Sequence, residues 1–211
     1  MKKLIHNLSH QKKKGKEGKE SKESREDKEG KVRIISGQWR GRKLKVLNKP
    51  GLRPTPDRVR ETLFNWLAMY LPGKRCLDLF AGSGALGIEA ASRGVKQALL
   101  IEKEPEVMKV LKQQIVTFDA NNLKVIQDDA LHFLSLPPEV YDIVFLDPPY
   151  GYDLLPSCFT LLEQGGWLSP YALISIGIER CLGEPTLPAS WEIIRHQTAG
   201  QVANFLAKRK S

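Results

Sequence analysis

Cysteine is scarce in this 211-residue chain, and long apolar runs are missing. The three cysteines, Cys76, Cys158 and Cys181, lie far apart and form no C-x-x-C pair, which argues against a zinc ribbon or a redox dithiol and fits a reducing, cytoplasmic setting. The opening MKKLIHNLSHQKKK interrupts its apolar residues at His6, Asn7 and His10, so no secretory signal is expected. No stretch approaches the roughly 20 apolar residues of a membrane helix, and a soluble protein is expected. No metal site is evident either: His132 falls in a short helix and His196 in a closing hairpin, where capping or packing is the expected role. Acidic residues are outnumbered, 24 against 33 Lys and Arg, giving a formal net charge of +9 and a pI near 9.5. Such an excess favours a polyanionic partner, of which nucleic acid is the commonest.

The length suits one domain with a tail. Residues 1–31 form an imperfect Lys/Glu/Ser/Gly repeat with too little apolar surface to offset ordering entropy, so disorder is expected. It reads either as a basic arm that tracks RNA or as a solvated tail, since the interleaved Glu residues weaken its attraction for phosphate. Residues 32–35 and 44–47 are short β-rich runs around a basic tip bearing Trp39, Arg40, Arg42 and Lys43, a hairpin pattern. An extended Pro-rich linker then leads to Asp57, placed as a helix N-cap. Val59, Leu63, Trp66, Leu67 and Tyr70 line one helical face, with Arg58 and Arg60 off it.

From residue 73 onward the pattern alternates strand and helix. Strands are expected at 75–79, 97–101, 123–126, 141–146 and 172–176, and helices at 85–93, 104–118, 130–134 and 154–162. Residues 191–195 and 201–206 are expected to close the chain as an antiparallel hairpin. This rhythm predicts an α/β fold, a Rossmann-like, mostly parallel sheet covered on both faces, with ligands at the carboxyl ends of the strands.

Between the first strand of this series and its helix, Gly82-Ser83-Gly84-Ala85-Leu86-Gly87 is a full G-x-G-x-x-G, preceded by Asp78, Phe80 and Ala81. Glu102, 20 positions beyond Gly82 and followed by Lys103, stands where a carboxylate accepts ribose hydroxyls. By itself this pattern also describes a dinucleotide-binding protein of the NAD type. Asp78 tilts the balance: a carboxylate there meets a cationic amino group, such as that of S-adenosylmethionine, and repels a pyrophosphate. Asp129, with Ala130, is placed to meet an adenine, or else to cap the short helix that follows.

The most informative segment is the apolar run ending on Asp147-Pro148-Pro149-Tyr150. Two prolines fix φ and hold the preceding residues extended, so the Asp147 carboxylate and the Pro148 carbonyl become a rigid pair of acceptors. An exocyclic amine on a base is a poor nucleophile because its lone pair is conjugated. Two acceptors on its hydrogens orient the nitrogen and localise that lone pair. Tyr150 is placed to stack on the base.

Together with Arg33-Ile34-Ile35-Ser36-Gly37-Gln38-Trp39-Arg40-Gly41-Arg42, the run Arg53-Pro54-Thr55-Pro56-Asp57-Arg58-Val59-Arg60-Glu61-Thr62-Leu63-Phe64-Asn65-Trp66 and Ala199-Gly200-Gln201-Val202, these stretches resemble the bacterial 16S rRNA guanine-N2 methyltransferase family of the small ribosomal subunit, called RsmD. The resemblance implies a seven-stranded sheet with a C-terminal antiparallel hairpin. It implies S-adenosylmethionine as donor, S-adenosylhomocysteine as product, and N2 of one guanine in 16S rRNA, within a small-subunit assembly intermediate, as acceptor. It places Asp78, Gly82 and Gly84 at the methionyl part, Glu102 at the ribose, Asp129 and Ala130 at the adenine, and Asp147, Pro148 and Tyr150 in the base pocket. Phe80, Ala81, Ser83, Lys103 and Asp147 are also expected to border the donor, and Pro149 to belong to the catalytic turn. Two departures stand out: the Lys/Glu tail, and Gly177 where an acid is expected, with Glu179 two positions on.

The expected division is a tail at 1–31, an RNA-contacting hairpin and helix at 32–72, and a methyltransferase domain at 73–211, acting as a monomer in the cytoplasm. Arg33, Trp39, Arg40, Arg42, Lys43, Arg53, Arg58 and Arg60 are expected to face RNA. The rival readings are a DNA adenine-N6 methyltransferase, for which no length for a target-recognition domain is expected, an NAD-type nucleotide-binding protein, and an RNA-binding module without catalysis.

Overall fold

A computed structural model describes residues 30–47, 57–151 and 153–211. The expected disorder of the tail, the Pro-rich linker and Arg53 within it lie outside the described residues. Strands β1 (Gly30–Arg33) and β2 (Lys43–Val46) pair antiparallel. The pairing reaches into the segment assigned to the tail, because Gly30 and Lys31 sit opposite Val46 and Lys45. Helix α1 (Asp57–Leu67) turns its apolar stripe toward the core, with Val59, Leu63, Phe64 and Leu67 buried, although Tyr70 lies beyond the helix and is exposed.

The remaining elements alternate as β3 (Arg75–Asp78), α2 (Ala85–Ser92), β4 (Gln97–Glu102), α3 (Pro105–Phe118), β5 (Leu123–Gln127), α4 (Ala130–Leu134), β6 (Tyr141–Leu146), α5 (Leu155–Gln164) and β7 (Leu168–Glu179). A single 3-10 turn leads to the closing hairpin of β8 (Trp191–Ala199) and β9 (Val202–Arg209). They form a seven-stranded sheet in the order β5-β4-β3-β6-β7-β9-β8. Pairings from β5 to β7 are parallel, and those of β9 with β7 and β8 are antiparallel.

Central strands buried on both faces read as continuous apolar runs, which is why β6 is Tyr-Asp-Ile-Val-Phe-Leu and is almost wholly buried. One core layer joins α1, α2, α3 and the β1–β2 hairpin to one face of the sheet, through Leu63, Phe64, Ile88, Leu111 and Phe145. The other packs α4 and α5 on the opposite face through Phe133, Phe159, Leu162 and Trp167. Among the described residues, no helix is long and apolar enough to cross a membrane.

The order reverses between β3 and β6: the chain leaves β3 toward β4 and later returns to β3's other side. In open α/β sheets ligands sit at such a switch point, outside the carboxyl ends of the strands. Asp78 ends β3 and Asp147 follows β6, so these two carboxylates flank it.

Candidate active site

Four adjacent parallel strands deliver one acid each to the same edge: Asp129 just beyond β5, Glu102 ending β4, Asp78 ending β3 and Asp147 just beyond β6. With neighbouring strands about 4.8 Å apart, the row spans about 14 Å.

Asp78 is 2 % exposed. Its Oδ2 accepts the Gly87 backbone N–H at 3.0 Å, tying the strand end to α2. Its Oδ1 is sealed from solvent without a hydrogen-bond partner. Burial pushes this carboxyl up to about 7; the nearby Asp147 and Glu102 charges add to the rise, and the backbone N–H groups of Gly87 and Phe80 oppose it. A buried oxygen left unpaired in this way suits a cationic partner and disfavours a phosphate.

The glycine loop wraps the same point. Gly84 has φ 78°, and a Cβ there would lie 2.6 Å from Ile88 Cδ1 and 2.7 Å from Leu111 Cδ2, so no side chain fits between loop and helix. Gly84 donates to the Ala81 carbonyl at 2.7 Å, and Ala81 donates to Ile101 at 3.0 Å, fixing the turn against β4. Phe80 and Ser83 are half-buried beside it. Glu102 is held from both sides, Oε2 accepting from Gly82 N–H at 2.9 Å and Oε1 from Glu104 N–H at 2.8 Å. Lys103 is exposed, and its carbonyl accepts from the Gln127 side chain at 3.5 Å.

Asp129 caps α4, its Oδ1 accepting from Leu131 at 2.9 Å and His132 at 3.4 Å. The capping role therefore occupies one oxygen, while Oδ2 carries no hydrogen bond among the described residues. Ala130 beside it is buried. His132 pairs with Asp128 at 2.7 Å, and His196 stacks on Phe205 with ring centroids 6.1 Å apart.

Beyond β6, Asp147 is half-buried, Pro148 buried, and Pro149 and Tyr150 exposed. The loop is braced from β7, where Glu179 Oε1 accepts the Gly151 N–H at 3.1 Å. Gly177 explains the missing acid: a Cβ there would lie 2.4 Å from Asp147 Oδ1 and 3.1 Å from Asp147 Cγ. The Asp147 carboxylate thus leans into the space a side chain at 177 would take. The row of acids and the glycine loop therefore lie together, as their motifs predict.

The residues expected to face RNA divide. Arg33, Arg40, Arg42, Lys43 and Arg58 are exposed. Arg42 is also tied down, donating to the Thr117 carbonyl at 2.7 Å with its guanidinium 4.1 Å from the Phe118 ring centroid. Trp39 and Arg60 require correction. Trp39 is 4 % exposed and stacks on Phe118 at 5.5 Å, while its backbone N–H donates to Ser92 Oγ at 3.0 Å.

Arg60 is fully buried, ion-paired with Asp57 at 2.7 Å, 3.9 Å from Glu89 and donating to the Arg33 carbonyl at 2.9 Å. Glu89, also fully buried, accepts from the backbone of Ile35 at 2.7 Å and Ser36 at 3.0 Å and from Arg93 at 2.7 Å. A charge withdrawn from water needs such partners, and they are structural here. The cluster bolts the hairpin to α1 and α2.

Residues 32–208 match a family described as "Conserved hypothetical protein 95". The chain is 50 % identical over 182 residues to the ribosomal RNA small subunit methyltransferase D of Escherichia coli strain K12, covering 86 % of this chain and 92 % of that protein. It is 45 % identical over 179 residues to the protein of that name from Haemophilus influenzae, covering 82 % of this chain and 92 % of the other. Among solved structures, a putative methyltransferase from Escherichia coli superposes with a TM-score of 0.81 at 48 % identity, covering 86 % of this chain and 99 % of that one.

Proposed function

Because the chain belongs to the ribosomal RNA small subunit methyltransferase D family, we propose that it methylates the exocyclic N2 amine of a guanine in 16S rRNA, with S-adenosylmethionine as donor. The observation that carries this reading is the row of acids across the switch point, with the sealed, unpaired Asp78 Oδ1 at its centre. The residues fit the donor. Asp78 offers that oxygen to the ammonium of the methionyl part, the Gly82–Gly84 turn leaves room for close approach, Glu102 accepts from the ribose, and Asp129 with Ala130 borders the adenine. When bound, the donor supplies a methyl group on a positively charged sulfur.

The chain's own contribution is alignment. Asp147 and the Pro148 carbonyl accept the two amine hydrogens, which turns the nitrogen lone pair outward and stabilises the positive charge the nitrogen acquires. Tyr150 stacks on the flipped base and keeps its plane fixed. Gly177 and Glu179 hold this loop, Gly177 by leaving room for the Asp147 carboxylate and Glu179 through Gly151. Residues 32–72 form the RNA-facing part, through Arg33, Arg40, Arg42, Lys43 and Arg58, and residues 73–211 carry donor and chemistry. This assignment places the protein in the cytoplasm, acting as a monomer on a small-subunit assembly intermediate.

The test is nucleoside mass spectrometry of 16S rRNA from a strain lacking the gene. One N2-methylguanosine should be absent from that rRNA and return on complementation with the wild-type chain. An unchanged nucleoside profile overturns the proposal.

A further inference from the structure

We propose that Asn204 positions the acceptor base, its amide nitrogen donating to the ring nitrogen beside the target amine. The inference rests on the methyltransferase reading above and adds a base-positioning residue to it. Side chains alternate across a strand, so Ile143, Phe145 and Asp147 share one face of β6, Leu173, Ser175 and Gly177 share that face on β7, and Asn204 and Leu206 share it on β9. This is the face α1 covers, since Ile143, Phe145, Leu173 and Leu206 lie in one core with Leu63 and Phe64. Asn204 stands opposite Gly177 on β7 and opposite Gln197 on β8. Asp147 follows the Leu146–Ile176 pair directly and touches the space at Gly177. Asp147, Asn204 and Gln197 therefore form a polar row, with Gly177 between the first two, at the carboxyl end of a largely apolar face.

A buried polar side chain on such a face needs a partner. Gln197 has one in the fold, donating from Nε2 to the Val59 carbonyl of α1 at 2.9 Å. Asn204 is only 2 % exposed, and among the described residues its side chain makes one hydrogen bond, Oδ1 accepting from Ser175 Oγ at 3.3 Å. Ser175 precedes Gly177 by two residues and so lies toward the amino end of β7. With the amide oxygen bound to Ser175, the nitrogen is the amide atom left to serve the edge that holds Asp147. Gly177, which pairs with Asn204 and adjoins the Asp147 carboxylate, puts no side chain of its own between the two.

The juxtaposition of one donor with the acceptor pair has a chemical counterpart. Every base with an exocyclic amine carries an acceptor nitrogen beside it in the ring, N3 in guanine. Asp147 and Pro148 grip the amine, and Asn204 supplies the donor for that neighbour. A site built to hydrogen-bond its substrate loses transition-state stabilisation when that bond is removed.

The experiment uses the full chain, small ribosomal subunits from a strain lacking the gene, and labelled S-adenosylmethionine. Asn204→Ala should lower kcat/KM for the subunits by about tenfold to a hundredfold while S-adenosylhomocysteine affinity stays within about twofold. Asn204→Asp keeps the size and the acceptor for Ser175 but removes the donor, and should lose at least as much. Ser175→Ala, which frees the amide to rotate, should lose less, about threefold. Thermal melts and S-adenosylhomocysteine titrations identify variants that fold. Turnover within twofold of wild type in folded Asn204→Ala and Asn204→Asp, or donor affinity falling in step with turnover, overturns the role of Asn204 alone. Wild-type chain that transfers no methyl group to the subunits overturns the underlying reading as well.

Discussion

Replacing Asp78 by Asn should change how stability and donor binding depend on pH. The Asp78 carboxyl is raised to about 7 chiefly by burial. Between about pH 4 and pH 7 the folded protein therefore holds a proton that the unfolded chain has already released, so this group makes stability fall as pH rises through that window and level off above it. At about 1.4 kcal/mol per pH unit, the loss between about pH 5 and pH 8 is on the order of 3 kcal/mol. Urea unfolding of wild type and Asp78→Asn at several pH values isolates it, since titrating groups that do not interact with Asp78 cancel in the difference. The stability of the variant relative to wild type should improve by about that amount from pH 5 to pH 8.

Donor binding should respond in the opposite sense. An ammonium seated on Asp78 requires the ionised carboxylate, so wild-type affinity for S-adenosylhomocysteine should tighten by up to about tenfold per pH unit below 7. Asp78→Asn should bind more weakly at pH 7 and lose that slope. Equal pH profiles for the two proteins, in both stability and binding, would refute the assignment of Asp78 as the buried partner of the ligand's amino group.

Gly177→Ala should fold and bind S-adenosylhomocysteine normally but lose about a hundredfold in turnover, because the new Cβ displaces the Asp147 carboxylate; a steady-state assay with small subunits checks this. Glu89→Gln should destabilise the chain by about 3–5 kcal/mol in urea unfolding, since it leaves the buried Arg60 and the half-buried Arg93 without their shared carboxylate. Neutralising the exposed Arg33, Arg40 and Lys43 together should weaken RNA binding and reduce the slope of log affinity against log salt by about 2, read from titrations at several salt concentrations.

Where apolar runs have sharp boundaries the fold was legible in the chain. The limits of β6 and α4 follow from the flanking residues, and the order of elements from the alternation of periods. Strand β7 begins earlier than its apolar core suggests, because Leu168 pairs with Tyr141 across a register shift that passes through Ser169, Pro170 and Tyr171, the last at φ 61°. The row of acids was legible because each lies at or just past a strand end, and a strand end is visible in sequence.

The misplacements have one cause: partners distant in sequence. Arg60 reads as solvent-facing until Glu89 is placed 3.9 Å away. The isolated acid in the apolar helix Ala-Leu-Gly-Ile-Glu-Ala-Ala-Ser was the available signal, since such a group requires a buried cation. Trp39 beside arginines has the composition of an RNA platform, yet its ring finds Phe118. Asn204 was signalled only as the one polar residue in the run Val-Ala-Asn-Phe-Leu-Ala, and its place beside Gly177 depends on antiparallel register. Gly177 was visible as a departure, but its meaning required the Asp147 carboxylate beside it.

In the proposed mechanism Asp147 acts on the acceptor amine at an edge where the donor is held independently by its neighbours. Measuring S-adenosylhomocysteine affinity and methyl transfer to small subunits side by side in Asp147→Ala separates the two. Affinity within a few-fold of wild type and transfer reduced by about a thousandfold or more are expected. Substantial transfer by the variant, or loss of donor binding equal to the loss of transfer, contradicts that mechanism.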